Sequence, residues 1–462
     1  MKILLVVYDN DSFISWFPQG LAYLAAACSN AGHEVRIYNQ DVYHWPEAHL
    51  LDLLNKEQFD VIGVSVIGGY YQYRKLLKIS EAINQSTQRP FYIIGGHGPA
   101  PEPEYFLKKT HADIVVIGEG EITILELLEA IEEKRAFSSV NGIAYLDNGI
   151  CIKTSGRDLI SNIDKIPFPA WHLFPIDHYA LLRMPHIKNS ERCMPVLSGR
   201  GCTFKCNFCY RMDKGFRGRS PESIIEEINI LKANYNISYI AFSDELLMSS
   251  PQRTVRLCES FVKAKLNVQW DCNGRLNYAK PDILKLMKEA GCVFINYGIE
   301  SMDEQALLAM NKALTVKQII EGIENTLAAG ISPGYNIIFG NLGETAESLQ
   351  MGVEFLLKYD DHSQLRTIRP VTPYPGSPLY YHAIKKGLLK DCEDFYENKH
   401  LNSDLLAVNF TDMIDDEVHR LLYEANKKLI DNYYKDQIGK THNILKKLYF
   451  EKDSSFRGVR QT

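Results

Sequence analysis

The chain has 462 residues, enough for roughly three domain-sized units. Hydrophobic residues make up 45% and charged residues 23%, the balance of a globular protein with a large core, which excludes a disordered or fibrous chain. A formal net charge of -6 gives no general pull toward nucleic acid, and no apolar run reaches the length of a membrane span. The basic residues near the end (Lys440, Lys446, Lys447, Arg457, Arg460) read as a solvated terminal helix and tail. The apolar run at residues 3–7 is too short for a signal peptide. Ten cysteines, three of them crowded together at Cys202, Cys206 and Cys209, read as a cytoplasmic chain with a metal site rather than a secreted disulfide scaffold.

In chain order, short β-branched runs at 3–7, 61–65, 91–96 and 113–118 alternate with amphipathic helical stretches such as 20–31. This alternation predicts a doubly wound α/β domain over residues 1–135, with a parallel sheet covered on both faces. Ligands of such sheets sit beyond the carboxyl ends of the strands. Those ends carry Asp9–Asp11, Ser65–Gly69, Gly95-Gly96-His97-Gly98 and Gly118-Glu119-Gly120-Glu121. Residues 136–192 are expected to form a hairpin around Asp147-Asn148-Gly149 and a proline-rich connection ending at Pro185. Strand–helix alternation resumes over 193–390, with strands expected at 195–199, 239–243, 268–272, 294–299, 334–340 and 365–371. Six such units predict a partial (βα)6 barrel, and residues 391–462 read as a small helical region.

Directly after the first barrel strand comes Gly199-Arg200-Gly201-Cys202-Thr203-Phe204-Lys205-Cys206-Asn207-Phe208-Cys209. Ferredoxin-type clusters and structural zinc sites close their shells with four protein ligands. Three thiolates in one loop leave a metal position open for a molecule that is to be cleaved. Zinc with a distant fourth ligand is the alternative. The other seven cysteines show no second cluster spacing and read as buried small hydrophobes.

This loop, with the aromatic Phe208 before its last cysteine, resembles the signature of the radical S-adenosylmethionine (SAM) superfamily. The resemblance implies a [4Fe–4S] cluster on Cys202, Cys206 and Cys209, whose open iron chelates SAM and cleaves it reductively to a 5′-deoxyadenosyl radical. It continues through the strand ends: Ser243-Asp244-Glu245, Asn273-Gly274-Arg275, Gly298-Ile299-Glu300-Ser301, the stretch from Gly340 to Thr345, and Thr372 to Tyr380. By the same resemblance Phe208, Asp244, Glu245, Asn273, Arg275, Glu300 and Gly340 are expected around SAM. Flavodoxin or ferredoxin is expected as the external one-electron donor.

The α/β domain ahead of the barrel is similar to that of the cobalamin-binding class of radical SAM enzymes. The matching positions are Ser65, Gly95, Gly96, His97, Gly118, Glu119 and Gly120, which are therefore expected around the corrinoid. The loop Asp9-Asn10-Asp11-Ser12-Phe13 lacks the histidine that serves as lower cobalt ligand in cobalamin mutases. The resemblance implies a cobalamin-dependent methyltransferase acting on an unactivated carbon, or less commonly a phosphorus, of a small-molecule substrate. Two further readings stand beside it: a cyclase or oxidoreductase without methyl transfer, and a non-catalytic corrinoid-binding protein. Neither nucleic acid nor a membrane is expected as a partner.

Overall fold

In the computed structural model of the protein, residues 1–11, 15–181, 184 and 186–455 are described. Ser12 and Phe13 of the first loop, Pro185 of the connection, and Arg457 and Arg460 of the tail lie outside the described residues.

The runs Lys2–Val7 (β1), Val61–Ser65 (β3), Phe91–Gly95 (β4) and Ile114–Val116 (β5) are nearly unbroken apolar sequence because both faces of their sheet are covered by helices. The sequence reading missed one strand, Glu34–Asn39 (β2), which pairs with β1 at the edge. Its alternation of Glu34 and Arg36 with apolar residues reflects one wet face, where Lys2 and Arg36 meet Glu57. The hairpin of Ile143–Asp147 (β6) and Ile150–Lys153 (β7) belongs to this sheet rather than to the connecting segment. β6 pairs antiparallel with β5, giving a seven-stranded mixed sheet ordered β2-β1-β3-β4-β5-β6-β7.

The second sheet is fully parallel and holds six strands: Cys193–Val196 (β8), Tyr239–Phe242 (β11), Gln269–Gly274 (β12), Cys292–Glu300 (β13), Ser332–Phe339 (β14) and Arg369–Pro370 (β15). Each is hydrogen-bonded to the next in chain order, so the sheet curves into an open half-barrel with its helices outside. The expected sixth strand shrinks to two residues that pair only with the end of β14. A small ribbon of Gly199–Arg200 (β9) and Arg217–Gly218 (β10) closes the base of the cysteine loop.

Two features of the helical region bear on the site. Asp415–Tyr449 is one helix of 35 residues. It lies along the barrel helix Ala346–Tyr359 through Val418, Leu422, Ala425 and Leu429, which recur at four- and three-residue spacing. The π-helical turn Phe395–Lys399 instead reaches the first domain. Glu397 accepts from Tyr73 and pairs with Lys109 and Arg74, while Tyr396 stacks on Tyr73 at 4.5 Å. Tyr73 is therefore part of this junction, and Tyr70, which meets His400 edge to face, lies beside it. Among the described residues no helix is long and apolar enough to cross a membrane.

Candidate active site

Two cavities open at the carboxyl ends of the two sheets. The first, about 420 Å³, lies against the first domain. Its floor is apolar (Leu5, Leu21, Ile93, Val116), and its rim holds Ser65, Gly95, Gly96, His97, Gly118, Glu119 and Gly120. All seven positions expected around a corrinoid thus meet in one place. Gly96 adopts φ +94°, and a Cβ there would lie 2.5 Å from the Val66 carbonyl oxygen. Only glycine lets the chain turn so close to β3. Gly118, at φ +89°, has nothing within 4 Å on its Cβ side, so it leaves room for a ligand. A long slot with a greasy floor and a backbone rim fits the bulky tail of a corrinoid. His97 faces Tyr210 of the cysteine loop edge to face at 6.1 Å.

Glu119 lines the cavity, but its carboxylate is spent on the wall. It accepts from Arg200 (2.7 Å), Arg217 (3.0 Å) and the Ile160 amide (2.8 Å). Arg200 also pairs with Glu121 at 2.5 Å, and Arg217 with Asp213 at 2.6 Å. The resulting chain of charges, mostly buried, ties the first domain to the ribbon beside the cysteines. Arg200, Arg217 and Asp213 were not singled out from sequence. Two arginines flanking the cysteine loop were the only trace of them.

The second cavity, about 250 Å³, lies in the half-barrel. Cys202, Cys206 and Cys209 line it with Phe204, Phe208, Glu245, Asn273, Arg275, Glu300 and Lys312. The loop is held open by its amides. Asn207 donates to the Ala309 carbonyl (3.2 Å) and exchanges amide hydrogen bonds with Asn341, while Asn311 donates to the Lys205 carbonyl (2.9 Å). Of the three loop thiols, Cys206 is the most readily ionised. The Cys209 thiol donates to it and Lys312 and Arg275 face it, which pulls its pKa below the ordinary value. Among the described residues, no three His, Cys, Asp or Glu side chains converge as ligands of a single metal ion. Three thiols spread around one cavity suit a multi-iron cluster, where each binds a different iron.

Of the positions expected around SAM, Phe208, Glu245, Asn273, Arg275 and Glu300 line this cavity, and Asp244 and Gly340 do not. Asp244 is 1% exposed, accepting from the Ser198 amide (2.6 Å) and hydroxyl. Burial pushes its pKa up to about 6. It braces the strand end so that its neighbour Glu245 faces the cavity, where Glu245 accepts from the Gly201 amide at 2.6 Å. Gly340 has the Leu406 side chain on its Cβ side. Lys312, missed from sequence, pairs with Glu300 at 2.8 Å inside the cavity. Its position follows the helix Glu304–Ala309 and carries no motif of its own.

Asn273, Asn296 and Asn336 from three adjacent strands form an amide ladder on the same wall. Asn336 donates to Asn296, Asn296 to Asn273, and Asn273 to the Asp244 carbonyl, at 2.8–3.0 Å. Glu245 and Asp213 line both cavities, so the two spaces share a wall.

Comparison with known proteins agrees with this layout. The B12 binding domain matches residues 7–128 and the Radical SAM superfamily matches residues 196–356. An uncharacterized methyltransferase of Pyrococcus horikoshii is 31% identical over 401 residues, covering 84% of each chain. The anaerobic magnesium-protoporphyrin IX monomethyl ester cyclase of Rubrivivax gelatinosus is 26% identical, over 82% of this chain and 69% of its own length. Among solved structures, the radical SAM methyltransferase TsrM from Kitasatospora setae, with cobalamin and a [4Fe–4S] cluster bound, superposes with a TM-score of 0.68. At 18% identity over 83% of this chain and 75% of that one, it speaks to the fold. With both domains matched in order and a relative similar along most of its length, the chain belongs to the radical SAM superfamily, in the class that carries a B12-binding domain ahead of the radical SAM domain.

Proposed function

We propose that the protein is a cobalamin-dependent methyltransferase that alkylates an unactivated carbon, or a phosphorus, of a small molecule. The observation that carries this reading is the shared wall of Glu245 and Asp213 between the glycine-rimmed cavity and the cysteine cavity. A methyl donor and a radical source must both reach one substrate atom, and adjoining cavities allow that. The Pyrococcus horikoshii relative is named a methyltransferase.

When bound, the cluster and SAM supply a hydrogen-abstracting radical, and the corrinoid supplies a transferable methyl group. In this reading Cys202, Cys206 and Cys209 each hold one iron and leave the fourth for SAM. Glu245 takes the SAM amino group, and Phe208, Asn273, Arg275 and Glu300 complete its surroundings. Ser65, Gly95, Gly96, His97, Gly118 and Gly120 shape the corrinoid slot, while Glu119 holds that slot against the cysteine ribbon. Flavodoxin or ferredoxin delivers one electron from outside.

The test is anaerobic. Protein reconstituted with iron, sulfide and hydroxocobalamin is given reductant and SAM, and S-adenosylhomocysteine and 5′-deoxyadenosine are quantified by mass spectrometry. Both products are expected, with S-adenosylhomocysteine near the amount of bound corrinoid. The Cys206→Ala variant should form no 5′-deoxyadenosine. Likeness to the Rubrivivax gelatinosus cyclase supports a second reading, radical cyclisation or oxidation without methyl transfer. 5′-Deoxyadenosine alone from the wild type would favour it.

A further inference from the structure

Arg275 is a buried cation without a carboxylate. It is 6% exposed. Its Nη2 donates to the carbonyls of Lys312 (2.5 Å) and Ala313 (2.6 Å), and its guanidinium lies 3.3 Å from the centre of the Phe204 ring. Its Nε is buried and has no hydrogen-bond partner among the described residues. The neighbouring cation, Lys312, is neutralised by Glu300 at 2.8 Å, whereas no carboxylate among the described residues pairs with Arg275. The thiols of Cys206 and Cys202 and the phenol of Tyr278 are the acidic groups whose charge bears on it.

Buried charges persist where something of opposite sign compensates them. Carbonyls and an aromatic face satisfy a guanidinium only in part. Of the carboxylates lining this cavity, Glu300 pairs with Lys312, Asp213 with Arg217, and Glu245 accepts from the Gly201 amide, so the anion left to compensate Arg275 is the set of thiolates carrying a cluster. A [4Fe–4S] core with three thiolates carries one net negative charge when oxidised and two when reduced. We infer that Arg275 is the resident counter-ion of the cluster on Cys202, Cys206 and Cys209, and that it raises the cluster's reduction potential. A fixed cation in a low-dielectric cavity favours the more negative, reduced state. The backbone carbonyls and the Phe204 ring make Arg275 a positioning residue. They hold the guanidinium in place without a carboxylate partner among the described residues that would cancel its charge.

The inference rests on the cluster and not on methyl transfer. A wild type that takes up iron and sulfide but forms no S-adenosylhomocysteine leaves it standing. The test uses full-length protein reconstituted with iron and sulfide alone, without SAM or corrinoid. The cluster is titrated with titanium(III) citrate and low-potential mediators, and the reduced form is read by electron paramagnetic resonance. Arg275→Gln is expected to lower the ratio of reduced to oxidised cluster about tenfold at a given potential, equivalent to about 59 mV for one electron. Arg275→Lys, which keeps the charge, should fall between that variant and the wild type. Equal potentials in all three proteins, each with a full complement of iron, would overturn the inference. If Arg275→Gln takes up no cluster, wild type grown with 15N-arginine decides. A weak nitrogen coupling to the reduced cluster should change with the label and vanish in Arg275→Lys. Its absence from the wild type would count against the inference.

Discussion

The two cavities differ in what builds them. The larger is made of backbone and hydrocarbon: glycines at the strand ends, a floor of Leu5, Ile93 and Val116, and a carboxylate, Glu119, already consumed by arginines. The smaller is made of side-chain chemistry: three thiols, two cations and a row of amides. A site that must admit a large preformed ligand is specified by the absence of side chains. A site that must hold metal and polarise a small molecule is specified by their presence. Loss of one side chain should therefore cripple the small cavity outright. The large one should respond to added atoms.

The wall between the cavities gives the largest expected effect on stability. Arg217→Met would leave Asp213 without its cation and Glu119 with one arginine instead of two. Breaking buried pairs of this kind costs about 3–5 kcal/mol, so the melting temperature should fall by several degrees. Corrinoid and iron uptake should fall together, because the same arginine braces both cavities. A loss confined to iron would mean that the first domain stands without this wall.

Acid should act elsewhere. His400 is fully buried between Phe395, Tyr374 and Tyr70, with both ring nitrogens unpartnered among the described residues. Burial lowers its pKa from 6.5 to about 4. The unfolded chain therefore binds the proton more readily between those values. Stability is fully present above about pH 6.5 and is lost as pH falls toward 4, by about 3 kcal/mol at most. Buried Asp244, with its raised pKa, contributes in the opposite direction over a similar range. Only the difference between wild type and His400→Phe in denaturant unfolding at pH 7 and pH 5 isolates the histidine. His400→Phe should lose less stability on acidification, and parallel losses in the two proteins would remove His400 from the account.

The smallest effect separates two glycines. Gly96→Ala would place a methyl 2.5 Å from the Val66 carbonyl oxygen, costing about 1–3 kcal/mol. Gly118→Ala meets open space and carries only the left-handed backbone cost of about 1 kcal/mol. Its methyl would instead enter the slot, so it should reduce hydroxocobalamin uptake, read by absorbance, more than it reduces melting temperature. Equal corrinoid uptake by wild type and Gly118→Ala would move the ligand away from that strand end.

Much of this architecture was legible because its signals are local. β1, β3, β4 and β5 announced themselves as apolar runs, and the cysteine spacing lies within eight consecutive positions. β2 escaped because an edge strand with one wet face mixes Glu34 and Arg36 into its pattern. The β6–β7 hairpin was legible as a hairpin but not as part of the sheet, since pairing with β5 is a choice of partner and not of conformation.

The same division holds in the site. Sequence alone determined that residues 202–209 form a three-thiol loop after a strand, and that glycines end the strands of the first domain, since both follow from short-range backbone geometry. Tertiary structure alone decided that Glu119 faces Arg200 and Arg217, 81 and 98 residues on. It also turned Asp244 into the wall while Glu245 faces the cavity, and brought Lys312 beside Glu300 and Arg275 against the cysteines. Which charge meets which in a buried site depends on how separate strands and loops converge. No spacing along the chain records that convergence, because the energy of a buried charge is set by neighbours distant in sequence.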